Sequence, residues 1–174
     1  MFLRNEDFTE FKKEIEAELF PRKGIIDEVQ KAKILEMMEA AFYEGWEFGK
    51  KATRAKAYLE VLDFARKNLP LIDGDLSDKK VAINFAMAFG ALVGDLRNFY
   101  KPVIDLNKWI NTYKVWFIDD IIPKFAPELN QALFRILEKL IKNFAKLSVG
   151  LGDKQKTEYN RFLQSLFFAV KARI

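Results

Sequence analysis

Residues 81–94 have the sequence VAINFAMAFGALVG, which at 14 residues is the longest stretch of the chain without a charged side chain. A helix of this length is too short to span a bilayer and is typical of a buried core element. Small side chains recur at every fourth position here and in an earlier stretch: Ala82, Ala86, Gly90 and Gly94, and Ala41, Gly45 and Gly49. Because small residues let backbones approach closely, we expect the helices carrying these two stripes to cross there.

Apolar residues recur at helical spacing along the whole chain, and no segment shows the sustained alternation of a half-buried strand. This pattern predicts an all-α fold, a compact bundle of five to six helices in a single domain over residues 1–174. Within it, 1–75 are the acidic-to-basic N-terminal helices and 76–174 the basic helical core. We expect helices from about Asn5 to Pro21, over about 26–68 with a kink or a break most expected at Gly45 and Gly49, from Ser77 to before Pro102, from Val103 to Pro123, from Pro127 to Gly150, and from about Asp153.

The sequence contains neither cysteine nor histidine. These absences exclude disulfide frameworks, thiolate zinc sites, cysteine nucleophiles and catalytic triads that need a histidine base. Any catalysis by the chain itself would depend on carboxylates, lysines or tyrosines. We therefore expect a protein that works by binding other macromolecules, without a cofactor and without enzymatic activity.

Charge is distributed unevenly along the chain. Residues 1–49 hold 7 Lys/Arg and 12 Asp/Glu, a net charge of −5, whereas residues 50–174 hold 22 and 13, a net charge of +9. A basic segment of this size favours a polyanionic partner, although lysines solvated on helix faces give the same totals. The first seven residues turn acidic where a secretory signal would become apolar, so we expect a cytoplasmic protein without a membrane span.

Four carboxylates form the strongest enzymatic pattern in the chain: Glu36, Glu39, Glu60 and Asp63. Each pair has i,i+3 spacing and so shares a helix face, where two such pairs can hold Mg²⁺ against a nucleoside triphosphate. The spacing resembles that of the all-α nucleoside triphosphate pyrophosphatases. The preferred explanation is an ordinary solvated helix face, since Glu44 and Glu47 would serve almost as well as the first pair.

Basic residues gather in three clusters that are interleaved with aromatic residues. Lys and Arg in such clusters neutralise phosphates and bind nucleic acid without reading its sequence. The candidate RNA-binding residues are Lys50, Lys51 and Arg54 in the first cluster, Lys79, Lys80, Arg97 and Lys101 in the second, and Lys154, Lys156 and Arg161 in the third.

Two short motifs carry a resemblance to a known family. Leu96-Arg97-Asn98-Phe99-Tyr100 ends one helix, and Tyr159-Asn-Arg-Phe-Leu-Gln-Ser-Leu-Phe-Phe-Ala-Val-Lys-Ala172 forms a Phe-rich C-terminal helix. From about residue 81 onward the chain is similar to the small helical subunit of type III-A CRISPR (Csm) effector complexes. The resemblance implies a non-catalytic subunit that assembles with other protein subunits and with copies of itself along a guide RNA and lines the path of the target strand.

The same resemblance places Arg97 at the motif arginine, with Lys101 one turn further on, and implies that the acidic N-terminal third meets the basic part of a neighbouring copy. Two alternatives stay open. An arginine near a helix C-terminus also stabilises the helix dipole without any ligand. A helical protein-protein interaction or assembly protein that binds no nucleic acid would show the same overall composition.

Overall fold

The computed structural model describes residues 2–16, 27–54, 58–69, 76, 78–96, 106–124 and 127–174. Eight α-helices lie within these ranges: α1 (Phe2–Glu14), α2 (Glu28–Arg54), α3 (Tyr58–Asn68), α4 (Lys79–Leu96), α5 (Leu106–Tyr113), α6 (Pro127–Lys142), α7 (Phe144–Leu147) and α8 (Asp153–Lys171). A π-helix over Lys114–Ile121 and a 3-10 turn over Ile122–Lys124 continue α5. The all-α prediction is confirmed, since the described residues form no strand, but the expected number of five to six helices is too low.

The additional helices come from breaks that the apolar pattern does not mark. The region predicted as one helix over 26–68 forms α2 and α3, and α2 continues unbroken through Gly45 and Gly49. The break expected at these glycines is therefore wrong, because they provide a close contact between helices. The helix predicted from Pro127 onward ends with α6 and resumes as the short α7, because Asn143 leaves the helical conformation with φ −99° and ψ 7°.

The crossing of α2 with α4 is the most extensive contact between helices in the described part of the chain. A Cβ atom added to any of four glycines would lie within 3.0 Å of backbone atoms on the other helix, in the pairs Gly45–Met87, Gly49–Ala91, Gly90–Phe42 and Gly94–Trp46. The predicted crossing at the two small-residue stripes is thus confirmed. Residue numbers rise together along both helices, so α2 and α4 run parallel, and α3 contacts both as it connects them.

Aromatic rings fill the core in two clusters. In the first, α1 packs on the crossing through Phe11, whose ring stacks on Phe89 at 5.1 Å between centroids and lies 5.4 Å from Phe42. In the second, α5 packs on α8 through Trp109, which lies 5.3 Å from the ring of Phe162. No described helix is long and apolar enough to cross a membrane.

Ion pairs hold α1 against α6. Glu10, whose side chain is 7% exposed, accepts a hydrogen bond from Lys139 at 3.0 Å and lies 3.6 Å from both Lys13 and Arg135. Burial opposes ionisation of Glu10, but these cations outweigh it and hold the pKa of its carboxyl below the ordinary value. At this contact the acidic N-terminal part of the sequence is therefore neutralised by the basic part of the same chain. Glu10 does not need a neighbouring copy to supply its positive partners.

Candidate nucleic-acid interface

The third basic cluster lies on the first half of α8. Lys154 and Arg161 are exposed and Lys156 is half-buried, and none of the three makes an ion pair with an acid in the described part of the chain. The helix begins after Gly152, whose N–H donates to the side-chain oxygen of Gln155 at 3.2 Å. This cluster therefore offers three cations that the fold itself does not neutralise.

A shallow open groove of about 340 Å³ lies where α7 meets α8. Its described lining combines two cations, a hydroxyl, an amide and an aromatic ring: Lys156, Arg161, Thr157, Asn160 and Phe144. None of these residues is acidic, so the groove attracts anions. An aromatic ring beside cations is also the combination by which proteins bind single-stranded nucleic acid.

Stacked rings of the core fix the position of Phe144. Its ring lies parallel to that of Tyr159, at 3° and 6.0 Å between centroids, and Tyr159 stacks on Trp109 at 14° and 5.5 Å. The Tyr159 hydroxyl is anchored in turn, since it donates a hydrogen bond to the Leu96 carbonyl at 2.7 Å. Phe144 thus lines the groove and lies beside rings that belong to the core, Tyr159 of α8 and, through it, Trp109 of α5.

The second basic cluster is described only in part. Lys79 and Lys80 are exposed in the first turn of α4, where the Lys80 N–H donates to the Asp78 carboxylate at 2.9 Å. Asp78 therefore caps this helix, whereas Ser77, the predicted cap, lies outside the described residues. Arg97 and Lys101 also lie outside them, so the role that the family resemblance gives Arg97 stays a prediction.

The first basic cluster lies at the C-terminal end of α2. Lys51 is exposed, and the Lys50 ammonium lies 5.3 Å from the ring centroid of Trp46, at cation-π distance. Arg54 is the last residue of α2, but its side chain lies outside the described part of the structure. Of the ten predicted RNA-binding residues, only Lys156 and Arg161 are brought into one groove by the described structure.

The four carboxylates proposed as a Mg²⁺ site are not brought together. Glu36 and Glu39 line a groove of about 260 Å³ between α1 and α2, which also contains cations of both helices. Glu60 is exposed on α3, and Asp63 is paired with Lys67 at 3.0 Å. Among the described residues, no group of three or more Asp or Glu side chains could hold a metal ion.

Asp95 is a buried carboxyl that neither the charge clusters nor the family resemblance singled out. It is completely inaccessible at the end of α4, and the Tyr113 hydroxyl donates a short hydrogen bond to its Oδ2. Its Oδ1 and the Trp109 indole N–H have no hydrogen-bond partner in the described structure. Burial raises the pKa of Asp95 to about 7, against the opposing effects of Tyr113 and of the nearby Trp109 indole.

No protein-family model, curated protein or solved structure matches this chain. The likeness of its two motifs to the Csm subunit therefore stays a resemblance.

Proposed function

We propose that the chain is a non-catalytic subunit that binds single-stranded RNA through the phosphate backbone. The observation that carries the proposal is the cation set on α8: Lys154, Lys156 and Arg161 are unpaired within the described structure, and two of them line one groove without an acid. Cations in such a position neutralise phosphates and release the counterions around the RNA.

Several other cations of the chain already serve the fold, in contrast to those of the α8 cluster. Arg66 lies 3.8 Å from the ring centroid of Trp116 and donates a hydrogen bond to Asp120 at 2.8 Å. Lys124 also binds Asp120, and Lys139 is held by Glu10 of α1. Charge that is already neutralised contributes little to binding a polyanion.

A more specific assignment rests on the sequence resemblance. The motifs Leu96–Tyr100 and Tyr159–Ala172 support a place in a type III-A CRISPR effector complex, with the guide or target RNA as ligand and other subunits as protein partners. The second motif begins within α8, two residues after the groove residue Thr157, and includes the groove residues Asn160 and Arg161. In this assignment the backbone contacts position the RNA, and base pairing between guide and target supplies the sequence specificity.

Removing the two groove cations is expected to weaken RNA binding in a salt-dependent manner. With Lys156→Gln and Arg161→Gln combined, two phosphate contacts are lost, each of which contributes about 0.7 to the slope of log affinity against log salt. If the two contacts contribute nothing at 1 M salt, the affinity of the variant at 0.1 M salt is about 25-fold lower than that of the wild type. The measurement is the dissociation constant for a 12-nucleotide single-stranded RNA across a series of salt concentrations.

The matched control is the double variant Lys67→Gln/Lys124→Gln. It makes the same change in net charge but removes lysines that are paired with Asp63 and Asp120. We expect it to bind RNA as the wild type does. If both double variants lose the same RNA affinity, the loss reflects net charge alone and the proposal is contradicted. If the wild type does not bind RNA even at low salt, an assembly role without nucleic acid is favoured.

A further inference from the structure

We propose that single-stranded RNA continues from the groove along one face of α8, where an unpaired base stacks on Phe168 and a phosphate further along the strand contacts Lys171. The inference rests on the proposed function and deepens it, because it adds a path and a base contact to the phosphate contacts of Lys156 and Arg161. Three observations support it: the spacing of residues on α8, the exposure of Phe168 and the chemistry of its neighbours.

Five residues form one face of α8, which we call the α8 face. They follow one another at intervals of four, three, four and three positions: Thr157, Arg161, Gln164, Phe168 and Lys171. Residues three and four positions apart are neighbours on a helix surface, so the five side chains form a continuous row. Thr157 and Arg161 also line the groove, so the row begins there and leads away from it. From Arg161 to Lys171 the helix rises about 15 Å, the length of about four stacked nucleotides at 3.4 Å each.

Phe168 presents an aromatic ring to solvent from this face. It is 60% exposed, more than any other phenylalanine in the described part of the chain. The ring of Phe167 contacts it nearly at right angles, at 5.6 Å between centroids and 76° between planes, and Phe167 stacks in turn on Phe134 of α6 at 4.8 Å. The core therefore supports Phe168 from one side, and its exposed side is available to a planar base.

The neighbours of Phe168 favour RNA over an apolar protein partner. Arg161 and Lys171 are exposed and make no ion pair within the described structure, and no hydrogen bond to the half-buried amide of Gln164 is found there. Glu158 is the only acid of α8 after its first residue. The α8 face holds no second apolar side chain, whereas the apolar patches that dock proteins cover roughly 300–600 Å² or more. An aromatic ring between cations is instead the combination that binds single-stranded nucleic acid.

A base contact on the α8 face also predicts which form of RNA is preferred. A base within an A-form duplex is already stacked on both faces and is not free to reach Phe168. Every base has a face that can stack on the ring, so different bases are expected to bind alike. Single-stranded RNA should therefore bind more tightly than duplex RNA and with little dependence on sequence, a preference that cations alone would not give.

The decisive comparison is Phe168→Ala against Phe168→Tyr. Alanine removes the ring from an exposed position and is the best helix former, so the fold is expected to tolerate it. The affinity of Phe168→Ala for the 12-nucleotide single-stranded RNA should be roughly 5- to 150-fold lower than that of the wild type, with an unchanged salt slope, because one stacked base is lost and no charge. Phe168→Tyr keeps the aromatic face and should bind as the wild type does.

An abasic RNA separates stacking from any indirect effect of the substitution. An RNA of identical length in which every residue is abasic keeps all its phosphates but offers no base to stack. We expect the wild type and Phe168→Ala to bind this abasic RNA equally. If Phe168→Ala loses the same affinity for abasic and for normal RNA, or if Phe168→Tyr loses as much as Phe168→Ala, the stacking contact is refuted.

Lys171→Gln tests the path of the strand. Loss of one phosphate contact should lower the slope of log affinity against log salt by about 0.7 and leave the preference for normal over abasic RNA as it is. An unchanged slope would show that the strand does not reach Lys171 and would overturn the path along α8.

The outcomes separate this inference from the proposed function. If the Lys156→Gln/Arg161→Gln variant loses affinity while Phe168→Ala binds normal RNA as the wild type does, the base contact is refuted and backbone binding at the groove stands. If neither variant loses affinity, both proposals fail.

Discussion

Replacing Gly94 with alanine is expected to lower the free energy of unfolding by about 3 kcal/mol, at the upper end of the usual cost of overpacking. The added Cβ would lie within 3.0 Å of the backbone of Trp46 on α2. Backbone atoms cannot rotate away as a side-chain end can, so the helices must separate to relieve the contact. Helix propensity alone predicts the opposite sign, because alanine in a helix interior is better than glycine by about 1 kcal/mol.

The measurement is urea unfolding at constant pH, with thermal unfolding as a second readout. For a domain of 174 residues the loss corresponds to a fall in Tm of about 6–12 °C. Gly152→Ala is the matched control, since a Cβ at this position meets only the Gln155 side chain, at the ordinary contact distance of 3.9 Å. It should cost no more than about 1 kcal/mol as an N-cap change. A Gly94→Ala protein as stable as the wild type would mean that α2 and α4 do not approach so closely.

The crossing of α2 and α4 could be predicted from sequence because it depends on a local and periodic property. Glycine every fourth residue on an apolar helix has few explanations besides close packing, and Gly90 and Gly94 carry the signal without any knowledge of the partner. The same glycines misled the prediction of breaks, since glycine also weakens helices. Whether Gly45 breaks α2 or packs against Met87 depends on a helix that lies about 40 residues further along the chain.

The positive charge of the candidate interface could be predicted from the sequence, but the groove that the charged residues line could not. Lys154, Lys156 and Arg161 are close together in the sequence, so the local positive charge is evident from it. On one helix Lys154 and Arg161 share a face through their i,i+7 spacing, whereas Lys156 points away from both, so the spacing does not predict that Lys156 and Arg161 line one groove. Phe144 belongs to a different helix, and its place beside them depends on the break at Asn143, for which the apolar pattern holds no signal. The pairing of Glu10 with Lys139 spans 129 positions, so sequence showed the two charges but not that they neutralise each other.

Asp95 illustrates the same limit for a single side chain. Its position at the end of an uncharged stretch is evident from sequence, where a charged residue usually marks the return to solvent. In the structure it is fully buried, because α5 covers it with Tyr113 and Trp109. The consequence is a carboxyl whose pKa, about 7, lies close to physiological pH.

This raised pKa sets the direction of the pH dependence of stability. The pKa of Asp95 is about 7 in the folded protein, whereas the unfolded chain has the ordinary aspartate value of 3.8. Between these values the folded state binds more protons than the unfolded state, so the free energy of unfolding falls as pH rises and levels off above about pH 7. From pH 5 to pH 8 the contribution of this group amounts to about 3 kcal/mol, at 1.36 kcal/mol per pKa unit.

Asp95→Asn is expected to abolish this loss of stability. The amide oxygen still accepts the Tyr113 hydrogen bond, but the side chain has no charge to bury, so the variant should be more stable than the wild type at pH 8 and lose that advantage towards pH 5. The measurement is urea unfolding of both proteins at half-unit steps from pH 5 to 8.5. The difference between the two curves cancels other titrating groups such as Glu10, which is present in both proteins and whose lowered pKa affects stability only at more acidic pH. If the stability curves of the two proteins run parallel across this range, Asp95 ionises as readily in the folded protein as in the unfolded one. The carboxyl that contacts Tyr113 would then not be held in its protonated form by burial.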